Sequence, residues 1–367
     1  MFNRNWGAVS SFWKSLIHDF CEIRSDSFPS FVTGLESDTP QYGLTKLFPL
    51  YDVGMMGEFL SKDERYSTKS TFAITFGYVG TEYCGYQLQV HNNINKSALQ
   101  QPFVAAVEND VRKILDDMQC SFSPAYVAGR TDRDVSAVSQ VICISTTRGT
   151  KKEVKREDIL EAFHNSEACR EGRLVVFDCQ RVPKKFNARS SATWRRYLYL
   201  FPLNRSLETG LYDVDTEHVN RILSRLENKE LPYNAFAHRE DRTTGNGMQD
   251  RCTLFKARAT IVSLSDEQVL CIELVGTRFL RRMVRNIVAT AVRESCAITA
   301  VEERDDDVLV NMCLSGDRSK TASSAPGAAL CLAGVGYDPL DLAVYKFMPK
   351  EQLARVNRLK LQQLQHN

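Results

Sequence analysis

The stretch YVAGRTDRDVSAVSQVICI, residues 126–144, places a polar loop between two apolar segments. Residues 126–128 and 138–144 are rich in valine, isoleucine and small residues, a pattern that predicts two short β-strands. The loop between them carries two arginines and two aspartates in residues 129–134. Because loops held by a rigid scaffold often carry functional groups, this loop is the first candidate for chemistry.

The same patterning extends on both sides of this stretch. Phe72, Ile74, Phe76 and Tyr78 alternate with smaller or polar residues, which predicts a strand from residue 71, where the main folded body begins. Three-to-four spacing of apolar residues predicts helices at 99–115 and 156–164. Further strands are expected at 174–179 and 196–201.

The second half of the chain repeats this rhythm. The predicted elements are a helix at 216–226, paired strands at 253–261 and 268–274, a basic helix at 279–293 and a last strand at 329–335. Strands grouped around helices without regular β-α-β alternation favour an α+β class. We therefore expect two similar α+β halves.

The composition is that of a globular protein that does not span a membrane. Of 367 residues, 43% are hydrophobic and 25% are charged. No apolar run approaches the ~20 residues that cross a bilayer. The net charge is only +2, so any case for binding nucleic acid depends on the local distribution of charge. The 11 cysteines and 6 histidines are dispersed without metal-ligand spacing, which predicts reduced intracellular thiols and no metal site.

The two ends of the chain differ from the body. The apolar residues of the first segment, residues 1–22, share one helical face: Phe2, Trp6, Val9, Trp13, Leu16, Ile17 and Phe20. This acid-poor helix is typical of a mitochondrial transit peptide and equally of a surface helix that docks on the domain. Mitochondrial import is one expectation, and a nuclear or cytoplasmic location is the alternative. Residues 23–70 predict an irregular extension, and residues 346–367 predict a terminal helix.

Two segments concentrate positive charge. Residues 186–199, FNARSSATWRRYLY, interleave arginines with aromatic residues, which offers phosphate contacts beside faces on which a base can stack. A solvated charge run is the alternative interpretation of this segment. On a helix over the second segment, Arg278, Arg282 and Arg285 share one face, and one of them could turn inward to pair with a carboxylate.

The motif GRTD at residues 129–132 is by itself a turn of a kind that is structural in most proteins. Four further blocks accompany it: GTEYCGYQ at 80–87, the segment 186–199, FLRRMVRN at 279–286 and APGAAL at 325–330. In their order and approximate spacing, these five blocks resemble the TruA-like pseudouridine synthases over residues 71–338. Five blocks in order are far more specific than any one of them.

The resemblance implies a fold and an activity. The expected fold has tandem ferredoxin-like subdomains, residues 71–203 and 204–345, that form a pseudouridine synthase fold with a central mixed, largely antiparallel sheet. The expected activity is the cofactor-free isomerisation of uridine to pseudouridine in RNA. The partner would be tRNA, with ribosomal RNA as the alternative, and the enzyme would be a homodimer.

The resemblance also assigns roles by position. Asp132 would be the catalytic aspartate, Tyr197 the tyrosine that stacks on the uracil, and Arg285 the arginine that pairs with Asp132. Arg130 would contact RNA beside the target uridine. The other residues expected to bind RNA are Lys184, Lys185, Arg189, Arg195, Arg196, Arg278, Arg281 and Arg282.

Two features of the segment after Asp132 bear on its place in the family. Asp134 stands where the family carries glycine, which adopts backbone angles that aspartate takes only reluctantly. Ser136 and Ala137 resemble the eukaryotic branch that acts on the tRNA anticodon stem-loop. The alternative function is a noncatalytic RNA-binding or ribosome-assembly factor with a synthase-like fold.

Overall fold

The structure is a computed structural model that describes residues 4–19, 29–33, 70–87, 105–118, 126–146, 154–182, 186–206, 208, 210–238, 251–296 and 304–337. The helices are α1 (Trp6–Asp19), α2 (Ser30–Thr33), α3 (Val107–Asp117), α4 (Arg156–His164), α5 (Glu167–Arg170), α6 (Thr216–Ser224), α7 (Met283–Glu294) and α8 (Val308–Ser315). The strands are β1 (Thr71–Tyr78), β2 (Tyr126–Val127), β3 (Ser136–Ser145), β4 (Leu174–Val182), β5 (Ala192–Pro202), β6 (Glu230–Pro232), β7 (Arg251–Leu264), β8 (Glu267–Gly276) and β9 (Leu330–Tyr337). Within these ranges, no helix is long and apolar enough to cross a membrane.

The described strands form one sheet with the order β4-β1-β3-β9-β5-β8-β7-β6, and β2 pairs with β3 beside this path. The pairing of β3 with β9 is parallel and short, with Ser136 opposite Cys331 and Ala137 opposite Leu332. The remaining pairings are antiparallel. The β3–β9 pair is therefore a seam between two antiparallel groups of strands.

Alternating sequence patterns produce these strands, and helices with an apolar face cover the sheet. In α3, for example, Val107, Val111, Ile114 and Leu115 are buried in the common core. The predicted α+β class with a mixed, largely antiparallel sheet is confirmed. The subdomain boundary at residue 203 stays a prediction, because β5 pairs with β8 and β9 and so makes the sheet continuous across it.

α1 docks along both groups of strands. Before its first turn, Arg4 pairs with Asp213 at 2.6 Å, and in its last turns Lys14 pairs with Glu82 at 2.9 Å. Its buried apolar face consists of Val9, Trp13 and Ile17. The face that the sequence pattern identifies in residues 1–22 thus packs against the domain.

Some predicted element boundaries differ from the structure. The basic helix predicted at 279–293 begins only at Met283, because Arg282 has the left-handed backbone angles φ 62° and ψ 1°. Arg278 and Arg282 therefore share no helical face with Arg285, and that prediction was wrong. The described part of the helix predicted at 99–115 begins at Val107. The predicted terminal helix lies outside the described residues.

Candidate active site

The loop that carries Asp132 lies at the seam of the sheet. It ends at Ser136, the first residue of β3, which pairs with Cys331 on β9. Tyr197 on the neighbouring strand β5 pairs with Leu332 on β9. The order of strands in the sheet thus brings the loop, β5 and β9 together, although they are far apart in sequence.

A buried network of hydrogen bonds holds the loop that carries Asp132. The hydroxyls of Tyr78 and Thr131 are 2.8 Å apart, and the Gln140 Nε2 donates to the Gly129 carbonyl at 2.7 Å. The Tyr86 amide donates to the Thr131 carbonyl at 3.1 Å. Burial raises the pKa of Tyr78 above its ordinary range, so its hydroxyl stays protonated as a member of the network. Because a satisfied buried network favours one arrangement, it holds the backbone beside Asp132 in place.

Two glycines allow other segments to pack directly on the loop. A Cβ atom at Gly80 would lie 2.2 Å from the Val135 carbonyl carbon, and one at Gly327 would lie 2.4 Å from the Arg133 carbonyl oxygen. Such distances exclude any side chain without movement of the backbone. The glycines in blocks 80–87 and 325–330 are therefore required by close backbone contact with the loop.

Asp134 has the positive φ angle of 67° that its place in the loop requires. Glycine adopts this conformation freely, whereas aspartate adopts it at a cost. Burial raises the pKa of the Asp134 carboxyl, and the positive charges of Arg133 and Arg285 oppose this shift. The departure from the family pattern thus introduces both backbone strain and a partly buried carboxyl close to Arg285.

Asp132 pairs with two arginines. Its Oδ2 accepts from Arg285 Nη1 at 3.3 Å, and its Oδ1 lies 3.8 Å from Arg281 Nε. Arg285 is oriented by a second bond, from its Nε to the Ala325 carbonyl at 2.6 Å. The side chains of Asp132 and Arg285 are only 21% and 16% exposed, so solvent screens their interaction less than it would at the surface. The structure therefore has a fixed, partly buried carboxylate with its countercharge in place.

The segment that orients Arg285 is itself anchored. The Ala325 amide donates to the Arg285 carbonyl at 3.2 Å. The Tyr199 hydroxyl donates to the carbonyl of Pro326 at 3.1 Å. Trp6 in α1 packs edge-on against Tyr199, with ring centroids 6.3 Å apart. A continuous series of contacts thus runs from α1 to the arginine that pairs with Asp132.

Tyr197 lies beside this pair and is 8% exposed. Its ring packs edge-on against Phe279 at a centroid distance of 5.0 Å. Its hydroxyl lies 3.4 Å from the place that a Cβ atom of Gly129 would take, and Gly129 directly precedes Arg130. Burial raises the pKa of Tyr197 to about 12, Arg195 opposes this shift and Asp132 adds to it. The phenol is therefore neutral at physiological pH and presents an uncharged ring near the carboxylate.

Several of the arginines predicted to bind RNA are exposed. Arg130, Arg189, Arg278 and Arg282 present their side chains to solvent, and Arg281 is partly buried near Asp132. Lys184 and Lys185 lie outside the described residues. Exposed arginines on the loop and on the segment before α7 give this end of the sheet the donors that phosphate groups require.

Arg196 is not available to RNA, and its predicted contact was wrong. Its side chain is 1% exposed and its Nε donates to Glu273 Oε1 at 2.5 Å. Its two terminal nitrogens donate to the carbonyls of Val32 and Phe31 at 2.6 and 2.7 Å. The guanidinium instead ties α2 to the sheet.

Arg195 also uses its guanidinium inside the protein. Nε and Nη2 donate to the Ala128 carbonyl at 3.1 Å, and Nη1 donates to the carbonyls of Ala192 and Thr277 at 2.9 Å. Nη2 also donates to the Arg189 carbonyl at 2.7 Å. All five N–H donors of the group are occupied, so the predicted direct contact with RNA was wrong for Arg195 as well.

Sequence reasoning missed the residues that support the loop. Gln140 was the available signal, because a polar residue in the middle of an apolar strand is expected to find a buried partner. The contact of Arg281 with Asp132 had no signal, since it depends on the backbone reversal at Arg282. Among the described residues, no three His, Cys, Asp or Glu side chains form a group that could hold a metal ion.

The chain is similar in sequence to known tRNA pseudouridine synthases. A family model described as tRNA pseudouridine synthase matches residues 234–338. A protein named tRNA pseudouridine synthase A from Gluconobacter oxydans is 27% identical over 278 residues, covering 74% of this chain and 91% of that protein. Proteins of the same name from Pyrococcus horikoshii and Thermosipho africanus are 26% and 28% identical, covering 74% and 71% of this chain and 87% and 97% of theirs.

Proposed function

We propose that this chain, which is similar to the TruA-like pseudouridine synthases, isomerises specific uridines of tRNA with Asp132 as the catalytic carboxylate. The observation that carries this assignment is the Asp132–Arg285 pair at the seam of the sheet, 3.3 Å apart and partly buried. A carboxylate fixed in this way has the preorganisation that an active site requires.

The reaction needs one well-placed carboxylate. The bond between C1′ and N1 of the uridine breaks, the uracil rotates, and a new bond forms between C1′ and C5, while the proton on C5 is exchanged for one on N1. Asp132 can serve as a nucleophile at the sugar or the base, or as a base at the sugar. Each of these roles uses an ionised carboxylate, and Arg285 supplies the countercharge that orients it.

The target uridine must leave its stack to reach Asp132, and the surrounding side chains suit that step. Tyr197 offers an uncharged aromatic ring beside the carboxylate, held at its edge by Phe279. Arg130 is exposed two residues before Asp132 and can contact a phosphate on either side of the flipped nucleotide. These features support tRNA, the substrate in the names of the relatives, as the substrate of this chain.

The proposal also covers the oligomeric state of the protein and its location in the cell. A homodimer that holds one RNA with both subunits follows from the family resemblance. Mitochondrial import stays a proposal, with a nuclear or cytoplasmic location as the alternative. The buried face of α1, with Val9, Trp13 and Ile17, supports a docked role for this helix in the mature protein.

Purified wild-type protein and the Asp132→Asn variant test the assignment. Each is incubated with an unmodified tRNA transcript, and pseudouridine is measured by mass spectrometry of the digested RNA. We expect site-specific pseudouridine with the wild type and none with the variant, because the amide keeps the shape of the side chain and removes its charge. Equal turnover by both proteins would refute the role of Asp132. RNA binding without product from the wild type would favour the noncatalytic alternative.

A further inference from the structure

Arg195 joins three separate segments of the chain through one guanidinium group. Its acceptors are the carbonyls of Ala128, Arg189 and Thr277, with that of Ala192 on its own strand. Because each acceptor lies within 3.1 Å of a nitrogen of the group, the three segments meet at one point. The sequence separations from Arg195 to Ala128 and Thr277 are 67 and 82 residues.

Each of these segments carries an exposed arginine. Arg130 follows Ala128 by two residues, Arg278 follows Thr277 directly, and Arg189 supplies an acceptor carbonyl itself. Further hydrogen bonds hold two of the segments. The Asn187 side chain accepts from the Arg189 amide at 2.9 Å, and the Thr277 amide donates to the Thr253 carbonyl at 3.0 Å. The geometry therefore brings together the backbone segments that carry the three arginines, and Arg130 is two residues from Asp132.

Among the described residues, the charge of the Arg195 guanidinium faces only neutral acceptors. In the part of the chain that the structure describes, no carboxylate pairs with Arg195, whose acceptors are neutral carbonyls. Burial lowers the pKa of Arg195, the phenols of Tyr337 and Tyr197 oppose this shift, and the nearby charges of Arg189 and Arg278 add to it. Like charges brought together at a partly buried site create a strong local preference for an anion.

We propose that Arg195 is a positioning residue that assembles Arg130, Arg189 and Arg278 into one binding surface for the phosphates of the RNA backbone. The proposal rests on the proposed function and specifies how the substrate is held beside Asp132. Arg195 does not touch the RNA, since its five donors are used internally. Its contribution is to fix the three backbone segments from which the exposed arginines extend.

Salt dependence of tRNA binding tests this proposal, because it counts phosphate contacts independently of catalysis. Each contact adds roughly 0.7–0.9 to the slope of log K against log salt concentration. Full-length wild type, Arg278→Gln and Arg195→Gln are titrated with an unmodified tRNA transcript between ~50 and ~300 mM salt. Arg278→Gln should lower the slope by about 1, as for one phosphate contact, and Arg195→Gln by about 2–3. At ~150 mM salt, the loss of about three phosphate contacts in Arg195→Gln should weaken binding roughly a hundredfold.

Arg205→Gln is the matched control. Arg205 is an exposed arginine beyond the far end of β5, about 25–30 Å from Arg195 at ~3.3 Å per strand residue, and its replacement should leave the slope unchanged. The double variant Arg189→Gln/Arg278→Gln keeps Arg195 and its internal bonds, so it tests the surface even where Arg195→Gln folds poorly. It should lower the slope by about 2, as for two phosphate contacts.

The results distinguish a failure of the positioning role of Arg195 from a failure of the proposed synthase activity. A wild-type slope for Arg195→Gln or for the double variant overturns the inference, whatever the turnover. A decrease of about 1 for Arg195→Gln overturns it too, since that result indicates one direct phosphate contact. Absence of pseudouridine with the wild type refutes the proposed function instead, and leaves the salt-dependence result to be read on its own.

Discussion

Arg196→Leu should destabilise the protein and leave the RNA affinity of the folded protein unchanged. The buried guanidinium of Arg196 forms an ion pair with Glu273, and Glu273 forms a second ion pair with Lys256 at 2.8 Å. Breaking a buried ion pair costs about 3–5 kcal/mol, and each buried carbonyl left without a donor costs roughly 1–3 kcal/mol. Lys256 retains part of the pairing, and the carbonyls of Phe31 and Val32 can gain water if α2 detaches. We therefore expect a net loss of about 3–5 kcal/mol of unfolding free energy.

Thermal and urea unfolding measure this loss. Because the entropy of unfolding grows with chain length, 1 kcal/mol corresponds to roughly 1–2 °C for a chain of this size, so the melting temperature should fall by about 3–10 °C. The control is Arg278→Leu, an exposed position where stability should change by less than about 0.5 kcal/mol while tRNA affinity falls. The opposite pattern, weak RNA binding by a fully stable Arg196→Leu, would refute the structural role of Arg196.

The pH dependence of the unfolding free energy tests the same ion pairs, those of Glu273 with Arg196 and Lys256. Burial opposes ionisation of Glu273, but Arg196 and Lys256 outweigh it and hold the pKa of that carboxyl below the ordinary 4.5. A lowered pKa stabilises the folded protein above the ordinary value, and this stabilisation is lost as the pH falls through the folded-state pKa. The stability difference between wild type and Arg196→Leu should therefore shrink below about pH 4.5.

Three further predictions concern the site and its surroundings. Arg285→Gln should reduce the single-turnover rate of pseudouridine formation about 30–1000-fold, from a loss of ~2–4 kcal/mol, whereas Arg282→Gln should change it less than about threefold at saturating tRNA. Asp134→Gly should raise the urea midpoint at pH 7.5 because it removes strain at φ 67°, and the gain should shrink at acidic pH as the carboxyl with the raised pKa takes up its proton. Burial lowers the pKa of His218, so wild-type stability should fall as the pH drops below the ordinary 6.5, and His218→Gln should show a flatter profile between pH 7.5 and 5.5.

The regular elements were predictable because their periods are visible in short windows of sequence. The structure has α4 at Arg156–His164, the range predicted from apolar spacing. The predicted strand at 138–144 lies within β3, which extends a few residues further at its start. The helix start at Met283 was missed, because no local signal marks a left-handed conformation at Arg282.

The distribution of charge in the sequence could not show which of the predicted RNA-binding arginines face solvent. Arg195 and Arg196 sit in a basic, aromatic segment of the kind that binds RNA, yet both guanidinium groups bond inside the protein. What decides this is the presence of acceptors far along the chain, such as Val32 for Arg196 and Thr277 for Arg195. The sequence shows how many arginines are present, whereas the fold determines which of their N–H donors can reach RNA.

The candidate site itself came from the order of five motifs. The structure adds the reason that they occur together: blocks 80–87 and 325–330 pack against the Asp132 loop at Gly80 and Gly327. It also adds Tyr78 and Gln140, which no motif contained. Close backbone contact across the seam is a property of the whole sheet, and for that reason local patterns could not predict it.

A pseudouridine map of cellular RNA tests whether Asp132 is the catalytic carboxylate. Matched cells express either the wild type or Asp132→Ala, with equal protein levels checked by immunoblot, and pseudouridine is mapped across tRNA and ribosomal RNA. We expect discrete tRNA sites to lose pseudouridine in the variant and to retain it in the wild type. An identical map in both cells, with RNA binding intact, would contradict this expectation.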